Sequence, residues 1–363
     1  MEIEIPLDSA RARRGVLTHM ALFIFGAGAT RGCSFVEAAT DPCLPPLDAD
    51  FFTHLQRVQN RKHQPLIKAV MQDVVELFGQ NFSVTMETVF STLEHTVRML
   101  RTTGEYGHFK RAHLADKRDR LKQAIAAVLE DSLMKRAPDG ASSRTPKSCD
   151  HHDALVKRHL APRDTLITFN YDCVLDYALR SQGSEKWNAR FGYGLPVASR
   201  GHKAWQPRVP ATRDATVHLY KLHGSLHFNV SERQVDTVQL KQRPYTKQAG
   251  PMRFTILPPE SEKAYDRGIF TGLWKAAAGA IHRARQIVVI GYSLPSTDLH
   301  STALLRTSVT TRKLRSLVIV NPDREARQRI RSVLQRGLSP QTRVMSFDYL
   351  EEFVAADRRV WRV

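Results

Sequence analysis

Cysteine is scarce in this 363-residue chain, with four in all: Cys33, Cys43, Cys149 and Cys173. No two of them stand in a CxxC pair, so the spacing offers neither a zinc ribbon nor a disulfide framework. Free thiols in a reducing compartment are expected, and a bound zinc is not. Long apolar runs are missing as well; nothing approaches the roughly 18 consecutive apolar residues of a membrane span. The first residues, MEIEIPLDSARARRG, lack the apolar stretch of a secretory signal. A cytoplasmic location without membrane contact is therefore expected. Acid is in short supply too, with 36 Asp+Glu against 54 Lys+Arg and a net charge of +18. That excess favours polyanionic partners such as nucleic acid, or an acidic protein surface. The basic residues are spread through 98–122, 135–163, 199–253 and 306–336 rather than gathered in one tail.

What remains is ordinary for a folded protein: 42% hydrophobic and 25% charged, with no internal repeat. The length allows about two domains, or one domain with a large insertion. Ala21–Phe25 is a short apolar run that enters the glycine loop Gly26–Gly32, which reads as a buried strand and its turn. Residues 41–48 contain three prolines and read as a loop. Apolar residues then recur at helical spacing, first Leu66, Val70, Val74, Leu77 and Phe78, next Val89, Leu93, Val97 and Leu100, then Leu121, Ile125, Val128 and Leu129. Residues 137–152 have linker composition, and the adjacent His151 and His152 read as solvated loop residues. Further strands are expected at 165–169, 217–222, 286–291 and 317–321, with an edge strand at 344–347 and helices at 272–285 and 323–336. Phe270 and Trp274 read as core of the first of these helices.

Strands alternating with helices predict an α/β fold: a Rossmann-like parallel sheet with helices on both faces and a helical insertion after the first strand. Residues 1–49 and 161–363 would form the catalytic domain, and 50–160 the inserted one. In such sheets ligands bind beyond the carboxyl ends of the strands. Gly26 and Gly28, Asn170 and Asp172, His223, Gly291 and Ser293, and Asn321 all fall at those ends. Gly26, Gly28 and Gly32 are spaced one residue wider than GxGxxG, and a tight turn without a ligand would need the same glycines.

Five motifs taken in order are more specific. FGAGAT at 25–30, TFNYD at 168–172, KLHGS at 221–225, IGYSLPSTD at 290–298 and VNPD at 320–323 resemble the sirtuin-like family. The similarity is greatest to its bacterial branch of NAD-consuming anti-phage defence proteins. It covers 21–35 and 164–323 well and the helical insertion poorly. The resemblance implies that Gly26, Ala27 and Gly28 line the NAD pyrophosphate, with Thr30 near a phosphate or ribose. It puts Asn170 at the nicotinamide ribose, Asp172 near the nicotinamide pocket and His223 as the catalytic histidine. Gly291 and Ser293 would contact phosphates, and Asn321 the adenosine ribose.

The chemistry agrees with those residue types. Breaking the nicotinamide–ribose bond passes through an oxocarbenium-like state, as glycoside cleavage does. Nicotinamide leaves as a neutral base, so the site must orient the ribose, fix a nucleophile and remove a proton. An amide such as Asn170 suits the first two tasks and His223 the third. Two family features are missing: the four-cysteine zinc module after the HG motif, and a Pro-Asp-Phe-Arg segment, replaced here by Gly32-Cys-Ser-Phe35. Water is thus the expected acceptor, giving an NAD glycohydrolase without zinc. A zinc-less deacylase or ADP-ribosyltransferase comes second, and a non-catalytic module binding NAD, ADP-ribose or nucleic acid third. Because unregulated NAD loss kills the host, control is expected from a homo-oligomer or from a partner such as a HerA-type ATPase or an argonaute.

Overall fold

The protein is described by a computed structural model that covers residues 20–36, 40, 41, 43–103, 110–136, 142–245, 250–259, 265, 267–295 and 298–363. The apolar runs become the strands β1 (Ala21–Phe25), β2 (Thr165–Thr168), β3 (His218–Lys221), β4 (Gln286–Ile290), β5 (Ser316–Val320) and β6 (Arg343–Phe347). They form one six-stranded sheet in the order β6-β5-β4-β1-β2-β3, parallel throughout. β1, β4 and β5 are buried at every residue, so both faces of the sheet are covered. That double burial is why they read as unbroken apolar runs rather than as alternating patterns. The edge strand β6 is partly exposed along its length.

Helices surround the sheet. They are α1 (Ala27–Arg31), α2 (Phe51–Gln56), α3 (Gln64–Phe78), α4 (Met86–Thr103), α5 (Arg111–Leu133), α6 (Asp150–Ala154), α7 (Val174–Gln182), α8 (Ile269–Arg283), α9 (Leu299–Ser308), α10 (Arg324–Val333), α11 (Leu350–Ala355) and α12 (Arg358–Trp361). The chain winds outward from β1 through β2 to β3, then crosses back to β4 on the other side of β1. The strand order reverses there, and such a switch point opens a crevice at the carboxyl ends of β1 and β4.

Helices α2 to α5 fill the segment between β1 and β2. Their core includes Phe51, Val70, Phe90, Leu93 and Ile125, and it is continuous with Val174, Leu226, Met252 and Ile256 from the sheet portion. The insertion is thus packed onto the sheet portion through a shared apolar core. Some of its basic residues are internal ties: buried Lys117 reaches Asp73 and Glu76, each at 2.7 Å, and Arg120 grips Asp73 with two nitrogens. These cations are therefore paired within the block. The linker reading of 137–152 needs correction from residue 142 on, residues 137–141 lying outside the described residues. Met134–Arg136 pairs antiparallel with Ser142–Pro146, and helix α6 already begins at Asp150. Among the described residues, no helix is long and apolar enough to cross a membrane.

Candidate active site

Every candidate site residue lines one cavity of about 700 Å³ beyond the carboxyl ends of the strands. Gly26, Ala27, Gly28 and Thr30 follow β1, Asn170 and Asp172 follow β2, and His223 follows β3. Gly291 and Ser293 follow β4, and Asn321 follows β5.

The glycine loop is shaped first by its neighbour across the switch point. Gly291 has φ +58°, and a Cβ there would stand 2.0 Å from the Ala29 amide nitrogen. The Gly28 amide donates to the Gly291 carbonyl at 2.8 Å, and the Ala29 amide to the Gly26 carbonyl at 3.0 Å. The glycines therefore let two loop backbones touch, a role that sequence spacing does not separate from room for a phosphate.

A chain of side-chain hydrogen bonds crosses the floor. The Asn170 amide donates to the Gly26 carbonyl at 2.9 Å and to the Thr30 hydroxyl at 3.1 Å. Thr30 donates in turn to Asp172 at 2.7 Å, and the other Asp172 oxygen accepts the Val174 amide at 2.9 Å. Asp172, not Asn170, satisfies the start of α7, which leaves Asn170 bridging two strand ends. On the far side, Asn321 donates to the Tyr292 carbonyl at 3.1 Å and accepts the Asp323 amide at 3.0 Å. Ser293 is exposed at the rim.

His223 is buried, with the rings of Phe169, Tyr171 and Trp274 at centroid distances of 5.2, 6.2 and 6.5 Å. Its carbonyl accepts the Leu257 amide at 2.9 Å. The next residue, Gly224, has φ +80°, and a Cβ there would lie 2.2 Å from the Thr255 carbonyl oxygen. The HG pair is thus a histidine pinned by a turn that rejects a side chain. Phe270 is core as expected, whereas Trp274 also donates to the Leu222 carbonyl at 3.1 Å and stands beside His223.

Beneath the floor lies a network that the sequence reading missed. Lys221 donates to the Asp172 carbonyl at 2.5 Å and to the Asp176 carboxylate at 2.7 Å, and Tyr193 donates to Asp176 at 2.7 Å. Burial pushes the Asp176 carboxyl up, but Lys221 and His227 outweigh it and the group sits below its ordinary range. Burial holds His227 down to about 3, against the pull of Asp176. Also missed was a wall made by Pro45 and, from the insertion, Phe51, Met86, Glu87, Ile125 and Leu129. Arg31 ties that wall to the glycine loop through the Pro45 carbonyl at 2.6 Å and an ion pair with Asp50. Amphipathic spacing finds buried positions in a helix but cannot tell those facing a core from those facing a cavity.

The cavity is acidic. Asp48, Glu87, Asp172, Asp298, Asp323 and Asp348 line it against the guanidinium of Arg31. Behind the glycine loop, outside this lining, Cys33, Cys149 and His152 come together. His152 is buried in α6, which corrects its reading as a solvated loop residue; its neighbour His151 is half-buried.

Residues 164–340 match the SIR2-like domain. The matched stretch carries β2 to β5 with Asn170, Asp172, His223, Gly291, Ser293 and Asn321. Among solved structures, one is a crystal structure of Sir2 in complex with the inhibitor EX-527, 2′-O-acetyl-ADP-ribose and deacetylated p53 peptide. It is 14% identical over 94% of this chain and 92% of that chain, with a TM-score of 0.34. Another, described as a structural basis for the mechanism and regulation of Sir2 enzymes, is 10% identical over 93% and 90%, with a TM-score of 0.32. No curated protein matches the chain.

Proposed function

We propose that the protein is an NAD+ glycohydrolase, cleaving the nicotinamide–ribose bond with water to give nicotinamide, ADP-ribose and a proton. The observation that carries this reading is the convergence of Asn170 and His223, from the ends of neighbouring strands, on one cavity shared with the glycine loop. A volume of about 700 Å³ falls inside the usual range for small-molecule pockets. As the bond from the ribose C1′ to the nicotinamide nitrogen breaks, positive charge grows on the ribose. Carboxylates around the cavity, Asp172 and Glu87 among them, suit that charge. Asn170 orients the ribose and the attacking water. His223 takes the water's proton as its oxygen bonds to C1′.

Two features favour water over a protein acceptor. The cysteines form no sequence module like that of protein-deacetylating sirtuins, and the apolar residues Phe51, Met86, Ile125 and Leu129 wall the cavity from the insertion side. Incubating the purified chain with NAD alone tests the reading, with nicotinamide and ADP-ribose expected in equal amounts. Nicotinamide release only with an acylated peptide or a protein acceptor would replace it by deacylation or ADP-ribosyl transfer. Binding without turnover would leave a sensor.

The biological setting is proposed with it: NAD depletion in a bacterial anti-phage response, held in check by self-assembly or by a partner such as a HerA-type ATPase or an argonaute. NAD levels measured during phage challenge, with and without such a partner, test that part. Unchanged NAD would remove it.

A further inference from the structure

Cys33, Cys149 and His152 are used by nothing in the proposed reaction. Their ligand atoms lie within 4.8 Å of one another and all three side chains are buried. The His152 Nδ1 is 3.1 Å from the Cys149 sulfur and 3.7 Å from the Cys33 sulfur. Zinc bonds of about 2.3 Å to sulfur and 2.0–2.1 Å to nitrogen place the ligand atoms of a tetrahedron roughly 3.5–4 Å apart. The 3.7 Å separation already fits such a shell, and the 3.1 Å one would open by about half an ångström.

Charge points the same way. Two thiolates and a neutral imidazole around a divalent cation leave no net charge, so such a shell can be buried without an uncompensated ion. The second compact group, Cys173, Asp176 and His227, differs on this point. Its cation is already present, since the Lys221 ammonium stands 2.7 Å from Asp176.

We infer that Cys33, Cys149 and His152 bind a thiophilic divalent cation of the zinc class, with the fourth tetrahedral position left for water. The place gives the ion a task. Cys33 directly follows Gly32, the last residue of the glycine loop, and its amide donates to the Thr30 carbonyl at 3.2 Å. Cys149 and His152 lie where the chain returns from the insertion, at the start of α6. The Asp150 amide already reaches Ser34 at 2.7 Å across the same gap. An ion here clamps both ends of the insertion's neck behind the cofactor loop. This departs from the expectation of a zinc-free chain, which weighed only cysteines close in sequence; the fold assembles ligands more than a hundred residues apart.

The test is metal binding by the full chain, read without NAD, so that its outcome is independent of the glycohydrolase reading. Elemental analysis should find about one zinc per chain. Titration of the metal-stripped protein with cobalt(II) should give the visible spectrum of a tetrahedral thiolate complex, with affinity tighter than about 1 µM. Zinc should protect Cys33 and Cys149, but not Cys43 or Cys173, from alkylation under mild denaturant. Cys149→Ser and His152→Ala should lose the cobalt spectrum, and Cys43→Ser should keep it. The wild-type spectrum and protection pattern decide the matter even where a variant folds poorly. A wild-type chain that binds neither metal, that forms a Cys33–Cys149 disulfide instead, or whose binding survives Cys149→Ser overturns the inference.

Discussion

Lys221 and Asp176 form a buried ion pair at 2.7 Å, and the same ammonium holds the Asp172 backbone carbonyl at 2.5 Å. One lysine thereby joins the floor of the cavity to α7. Burial would lower Lys221 and raise Asp176, yet the pairing moves each the other way. Replacing Lys221 with Met leaves Asp176 charged, buried and short of its main partner. A loss of about 3–5 kcal/mol is expected, measured by urea denaturation. The double variant Lys221→Met/Asp176→Leu should recover a good part of it. A single variant as stable as the parent would show that the pair holds nothing.

Asn170 and His223 are expected to govern turnover. Each should lose at least about 10²-fold in nicotinamide release on replacement by Ala, with the circular dichroism spectrum unchanged. The effects should differ in kind. Asn170 also fastens Gly26 and Thr30, so Asn170→Ala should raise KM as well as lower kcat. His223 lines the cavity, and His223→Ala should act on kcat. Near-parental turnover by either would remove that residue from the reaction.

The sheet was legible in the sequence because strands buried on both faces leave unbroken apolar runs, as Phe23 and Val288 do. The ring of cavity residues was legible for a related reason. A parallel sheet puts every strand end on one side, so polar residues after apolar runs must converge. Lys221 and Asp176 were not, since a buried ion pair looks like surface charge until its partner is known. Nor was His152, whose ligand-like neighbours Cys33 and Cys149 are brought to it only by the closing of the insertion's neck. The insertion's wall escaped because Met86 and Leu129 face a cavity with the same helical spacing that would face a core.

Gly291→Ala tests the contact between the two loops. The φ of +58° costs a residue with a side chain about 1–2 kcal/mol, and the new Cβ would sit 2.0 Å from the Ala29 nitrogen. That neighbour is backbone, so the glycine loop itself must move. Lower thermal stability and weaker NAD binding by calorimetry are expected together. Unchanged binding would show that the loop position does not matter to the cofactor.

His227 sets an acid limit on stability. Burial among Cys173, Ser225, Tyr193 and Trp205 lowers it from 6.5 to about 3, with Asp176 opposing. Below 6.5 the unfolded chain takes up a proton at this site that the native state refuses until about 3. Its contribution is therefore full above 6.5 and is lost as pH falls through that window, at up to about 1.4 kcal/mol per pH unit. Urea midpoints between about pH 7 and 4 should decline in the wild type and decline less steeply in His227→Asn. His159 and His218 are lowered by burial too, so a residual slope should remain. Equal slopes for the two proteins would show that His227 titrates alike folded and unfolded.

The basic excess has a place on the opposite end of the sheet. Arg285, Arg312, Lys313, Arg315 and Arg343 line a hollow of about 510 Å³ at the amino ends of β4, β5 and β6. The strand ends hold these residues close, with the Arg315 amide on the Arg285 carbonyl at 2.7 Å and the Arg343 amide on the Arg315 carbonyl at 2.8 Å. All five are exposed, and no Asp or Glu stands among the described lining residues. Such a patch should attract a polyanion, and oligonucleotide binding is expected at low ionic strength. Each phosphate contact contributes about −0.9 to the slope of log affinity against log salt on duplex DNA. Arg312→Glu and Arg315→Glu should each weaken binding and flatten that slope, read by fluorescence anisotropy between about 50 and 200 mM salt. NAD hydrolysis should not change, because the patch lies at the other end of the strands from His223. Binding that keeps its slope in both variants would move the nucleic-acid surface elsewhere on the chain.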